Sequence, residues 1–203
     1  MNNFGKVDLL QEAWGLLKTN VSLFAKIFGV YLLYYIVQYA VQAYFKYSLA
    51  VGLVSFIFGV IGVVLELGLI YLVLKLIDGK KPTIADIYTY PNLIKKVVIF
   101  ILAGIVFGVA VVVGLILLVI PGIYIAIRGM FFSYYIVDKN AGIIDSIKMS
   151  WKLTEGAVLN LFLFDLLLVV FNVIGVLLLG IGLFVTIPVS LLAVALLYRR
   201  FQK

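Results

Sequence analysis

The sequence has no cysteine and no histidine. That removes thiol nucleophiles, disulfides, thiolate or imidazole metal sites, and the usual general base at neutral pH. Charge is scarce too. Asp, Glu, Lys and Arg make up 12% of the 203 residues, where a soluble domain uses about a quarter to cover its surface. Two thirds of the chain is apolar, at 66%, with a mean hydropathy of +1.25. Lipid, rather than water, must face most of it. The first twenty residues carry Lys6, Asp8, Glu12 and Lys18 without an unbroken apolar run, so no cleavable signal peptide is expected.

What is present is long and greasy. Four apolar stretches run 21–45, 49–74, 97–137 and 157–198, each with a single charge: Lys26, Glu66, Arg128 and Asp165. A spanning helix needs about 20 residues. The last two stretches are twice too long, so each must fold back. The turns are marked by Gly114 to Pro121-Gly122 and by Gly180, Gly182 and Pro188. Six spans follow, at about 21–45, 49–77, 95–115, 119–138, 157–179 and 182–200. The predicted class is an all-α, polytopic membrane protein, one domain over residues 1–203.

The basic residues set the orientation. Lys6, Lys18, Lys26, Lys75, Lys80, Lys81, Lys95, Lys96, Lys139, Lys148, Lys152, Arg199, Arg200 and Lys203 fall on one side. Lys46 falls on the other. The positive-inside rule then places both termini in the cytoplasm of a cell membrane. The net charge of +7 therefore reports topology, and no nucleic-acid role is expected.

The segments on the basic side are patterned. Phe4, Val7, Leu10, Trp14 and Leu17 recur at helical spacing, as do Ile143, Ile147 and Trp151. Segments 4–19 and 142–155 are predicted as amphipathic helices lying flat at the cytoplasmic surface. Trp14 and Trp151 would dip among acyl chains, with Lys18 and Lys152 near anionic headgroups. Ile84, Ile87 and Tyr88 form a weaker copy behind a Thr83/Asp86 capping box. Tyr71, Tyr134, Tyr135 and Tyr198 precede basic residues, as aromatic belts do. Interfacial helix, span, outer turn and span thus repeat three times, over about 1–81, 82–140 and 141–203.

Several runs are characteristic: Leu117-Leu-Val-Ile-Pro121-Gly-Ile-Tyr-Ile-Ala-Ile-Arg128, Ile-Val-Asp138, Ser150-Trp-Lys-Leu-Thr-Glu-Gly156, and Gly180-Ile-Gly182-Leu-Phe-Val-Thr-Ile-Pro188. They resemble the membrane domain that precedes the catalytic domain in some bacterial glycerophosphoryl diester phosphodiesterases. They also resemble a set of stand-alone, largely uncharacterised prokaryotic six-span proteins. The resemblance implies a fold and a location. The 203 residues contain no such catalytic domain, so it implies no activity.

Glu66, Arg128 and Asp165 each lie roughly 12–18 Å from a helix end at 1.5 Å per residue. An unpaired charge at such depth costs at least about 2.5–3.5 kcal/mol. The expectation is a cluster in which the Arg128 fork holds one or both carboxylates. That cluster is either a site for an ion, proton or lipid headgroup, or a structural knot. Asn160, Asn172 and Gln38, with Gln42 and Thr186, either extend a polar path or link helices. Gly104-x-x-x-Gly108 and Ser55-x-x-x-Gly59 are expected at close helix packing within the chain. Ser55, Ser133 and Ser190 have no histidine partner, and the membrane aspartate is single. No catalytic residue, cofactor or metal is expected.

Two functions remain. One is a non-enzymatic carrier for a small solute, ion or lipid, working through the buried charges. The other is a scaffold that binds partners through the amphipathic helices. The expected partners are membrane lipids, with a protein partner or a second copy left open.

Overall fold

The computed structural model describes residues 4–46, 48, 50–178 and 180–203. Six apolar helices are long enough to cross a membrane, and the class is all-α as expected. The elements are α1 (Lys6–Thr19), α2 (Val21–Phe45), α3 (Val51–Ile77), a 3-10 turn (Ile84–Ile87), α4 (Leu93–Leu117), α5 (Val119–Gly129), α6 (Phe132–Lys139), α7 (Ile143–Leu153), α8 (Val158–Leu177) and α9 (Leu183–Phe201). Helices α5 and α6 together make the fourth span. The predicted start of the second span at Leu49 and the predicted end of the fifth at Leu179 lie outside the described residues.

Two outer turns, between α4 and α5 and between α8 and α9, are built on glycine pairs. Only Leu118 is extended between α4 and α5. Pro121 sits in the first turn of α5, where its missing N–H is not needed. A Cβ on Gly114 would meet Gly122 Cα at 2.9 Å. A Cβ on Gly175 would meet Thr186 Oγ1 at 2.5 Å, in the turn where Gly180 has a φ of +75°. The close packing expected at Gly104, Gly108 and Gly59 is absent, because an added Cβ there meets nothing within 4 Å.

The spans form two layers. The second span of each hairpin, α3, α5–α6 and α9, is the more buried, and α2, α4 and α8 lie outside. The contacts between elements run in cyclic order. Helix α1 packs on α9, the 3-10 turn on α3, and α7 on α6. The turn comes so close that a Cβ on Gly68 of α3 would meet the Ile87 carbonyl at 1.8 Å. Thr83 N–H donates to Asp86 Oδ2 at 2.6 Å, the reciprocal half of the expected box.

This end of the bundle, with α1, α7 and the chain's last helix turn, is the basic end. Its tyrosines depart from expectation. Tyr134, Tyr135 and Tyr198 are buried rather than belted. The Tyr198 ring centroid lies 5.1 Å from that of Tyr134 and 5.3 Å from that of Tyr135. The rings fill the space between the inner spans, and the Tyr198 hydroxyl donates to Asp138 at 3.1 Å. A buried ring with a satisfied hydroxyl is as favourable as an interfacial one.

Candidate functional site

The fourth span is broken at Met130–Phe131, between α5 and α6. A break inside a membrane frees backbone groups that must find partners. Here α7 supplies them. Ser150 Oγ donates to the Arg128 carbonyl at 2.8 Å and accepts from Phe131 N–H at 3.1 Å. Thr154 Oγ1 lies 3.2 Å from the same carbonyl, though its nearest acceptor is the Ser150 carbonyl at 2.9 Å. The Ser150-to-Thr154 spacing is one helical turn, which puts both hydroxyls on one face of α7. Segment 142–155 is therefore tied to the fourth span by its own hydroxyls. Its C-terminal end is wedged against the span at the level of Arg128.

The side chains around the break form the candidate site. The Arg128 guanidinium carbon lies 5.1 Å from the Trp151 ring centroid and 5.8 Å from that of Tyr124. Tyr124 and Trp151 meet edge to face at 6.2 Å. Trp151 is thus also a partner of α5. Trp14 does stay exposed, with Lys18 Nζ 5.6 Å from its ring centroid.

The expected cluster of Glu66, Arg128 and Asp165 is not formed. Among the described residues Arg128 pairs with no carboxylate. Its Nε and the Trp151 Nε1 are both enclosed donors with no acceptor. Glu66 is exposed on α3, within electrostatic range of Tyr31 and Tyr134. Asp165 faces a cavity of about 510 Å³ on α8 and α9 with Asn172 and Ser190. Equal distance along three helices did not bring the charges together, because α7 and the span break place Arg128 in its own setting.

The other expected polar residues also separate. Asn160 accepts a hydrogen bond from Lys6 Nζ at 3.1 Å, linking α8 to α1. Asn172 donates to the Leu168 carbonyl at 2.8 Å and to Ser190 Oγ at 2.9 Å, which is interhelical glue. Gln38 has no hydrogen-bond partner among the described residues, whereas Gln42 reaches Ser55 at 3.5 Å. No three Asp or Glu among the described residues come together to hold a metal.

A charge knot does exist, but at the basic end. Arg199 Nη2 and Nε reach the two Asp78 oxygens at 2.7 and 2.8 Å. Arg199 Nη1 reaches Asp138 Oδ2 at 2.8 Å, and Lys139 Nζ reaches the same oxygen at 3.1 Å. One arginine thus joins the ends of α3, α6 and α9. Nearby, Lys75 holds Asp86 at 2.8 Å, and Arg200 pairs with Glu12 of α1. The signal was present in the sequence. Asp78 and Asp138 each stand within two residues of the end of an inner span, as Arg199 does.

No family model, curated protein or solved structure matches this chain.

Proposed function

We propose that this protein is a non-enzymatic integral membrane protein that handles anionic lipid, with Arg128 as a ligand for the headgroup phosphate. The observation that carries the reading is a guanidinium within a spanning segment that has no counter-ion among the described residues. Its own Nε and the neighbouring Trp151 Nε1 are enclosed donors without acceptors. A phosphate offers charge and acceptors at once, and a planar guanidinium suits it. Tyr124 and Trp151 beside the cation add two ring faces to the site, and Trp151 an indole N–H.

The membrane in this reading is the cytoplasmic one, with both termini inside. The fourteen-to-one split of basic residues supports it. The basic end then faces the inner leaflet, whose anionic lipids attract basic segments. The scaffold alternative has less support. Of the apolar residues of α1, Leu9, Ala13 and Leu17 are already buried within the fold, which leaves Val7 and Trp14 exposed.

The test is lipid retention in native mass spectrometry. Wild-type protein should keep phosphatidylglycerol over phosphatidylcholine. Arg128→Gln should weaken that preference about tenfold, the size of one charge-assisted hydrogen bond. Equal retention of the two lipids by wild type would remove the reading.

A further inference from the structure

A second cavity, of about 550 Å³, opens at the basic end between α6, α7 and α9. Met149, Leu153 and Phe201 supply apolar walls, and Lys139, Lys152 and Gln202 supply polar ones. It uses a different face of α7 from the one that carries Trp151 to Arg128, since residues 149 and 153 lie about 200° around a helix from 151 at 3.6 residues per turn.

The local charges can be summed from contacts. Asp138 is held by Lys139 and Arg199, and Arg199 is also held by Asp78. Two carboxylates and two cations cancel. Lys152 is left over, exposed and without a carboxylate partner among the described residues. Asp145 and Glu155, near the two ends of α7, do not line the cavity. Gln202 Oε1 accepts from Arg199 at 3.3 Å, but its Nε2 is enclosed and unsatisfied. That amide lies near the Tyr135 and Tyr198 hydroxyls without a well-formed hydrogen bond to either. The groove therefore presents one surplus positive charge beside an apolar wall.

We infer that this groove binds the singly charged phosphodiester headgroup of an anionic phospholipid. Lys152 meets the charge, and Met149, Leu153 and Phe201 receive the first methylenes. A dianionic phosphomonoester would leave one negative charge uncompensated, and a zwitterionic headgroup would bring a cation against Lys139 and Lys152. The position, at span ends that also carry Arg199 and Arg200, is the level of headgroups in a bilayer. This site stands or falls separately from Arg128.

The experiment is a native mass spectrometry titration of the full chain in zwitterionic detergent with dioctanoyl phosphatidylglycerol, dioctanoyl phosphatidylcholine or inorganic phosphate. Wild type should bind two phosphatidylglycerols, and neither comparison ligand to the same extent. Lys152→Gln should weaken one of the two steps about tenfold, and Lys152→Arg should retain it, since either cation can meet a single charge. Arg128→Gln should leave that step in place and weaken the other. Lys152 is exposed, so folding should survive, and an unchanged circular dichroism melt checks this. A Lys152→Gln titration identical to wild type would overturn the inference. So would inorganic phosphate binding as tightly as the lipid, which would make the groove a site for a free anion.

Discussion

Arg199 and Arg128 both lie against aromatic rings, the first 5.6 Å from that of Tyr198 and the second 5.1 Å from that of Trp151. Arg199 holds two carboxylates from two other spans. Arg128 holds none. The difference lies in what each can reach. Arg199 stands where three inner helices end together, so Asp78 and Asp138 are within its fork. Arg128 stands at a break in one helix, and its neighbour α7 presents hydroxyls to the backbone rather than carboxylates to the side chain. A charge that the fold satisfies is architecture. A charge that the fold leaves open is a place for something else.

Breaking the satisfied arginine should have the largest effect. Arg199→Ala strands two partly buried carboxylates. Full burial would make that loss about 3–5 kcal/mol, and partial solvent screening reduces it to about 2–3 kcal/mol. Arg199→Lys should recover less than half, since an ammonium cannot bridge both acids as a fork does. Unfolding titrations in a mild detergent measure both variants.

The next effect is at the break itself. Ser150→Ala leaves Phe131 N–H without an acceptor, while Thr154 Oγ1 still lies 3.2 Å from the Arg128 carbonyl. The loss should be about 1–2 kcal/mol, that of one unsatisfied buried donor. Thr154→Val should cost less, because Ser150 remains on the carbonyl. If both variants match wild type in the same titration, α7 does not hold the break.

A third prediction concerns acid. Burial alone would raise the Asp86 carboxyl, but Lys75 and the Thr83 N–H outweigh it and hold the group below its ordinary range. A lowered folded value means that its stabilisation is complete above the unfolded value of about 3.9. It is lost as the pH falls through the folded value. Asp86→Asn should therefore lower stability at neutral pH and flatten the acid limb of a stability-pH profile. A parallel acid limb in the variant would show that the carboxylate does not matter to the 3-10 turn.

Spans and short helices were legible because hydropathy and period survive any packing. The six apolar helices begin and end close to the expected residues. What a single sequence did not show was rotation and depth. Glu66, Arg128 and Asp165 lie at similar distances along their helices, yet depth alone does not say which way a helix turns. The break at Met130–Phe131 was hidden as well, since no Pro or Gly sits at those two positions. Its trace was the Ser150–Thr154 pair, which reads as ordinary polar residues until a partner with free backbone groups is known. The Arg199 knot was the more readable feature. Aligning the ends of the three inner spans brings Asp78, Asp138 and Arg199 to one level.

The account turns on Arg128 having no counter-ion among the described residues. The most direct measurement compares Arg128→Gln with Arg199→Gln in lipid-free zwitterionic detergent, by unfolding free energy. Arg199→Gln should lose about 2–3 kcal/mol, by the partly screened loss of a buried pair. Arg128→Gln should stay within about 1 kcal/mol of wild type, because no carboxylate is stranded. If Arg128→Gln fell as far as Arg199→Gln, the cation would have a partner inside the fold, and the open site beside Trp151 would not exist.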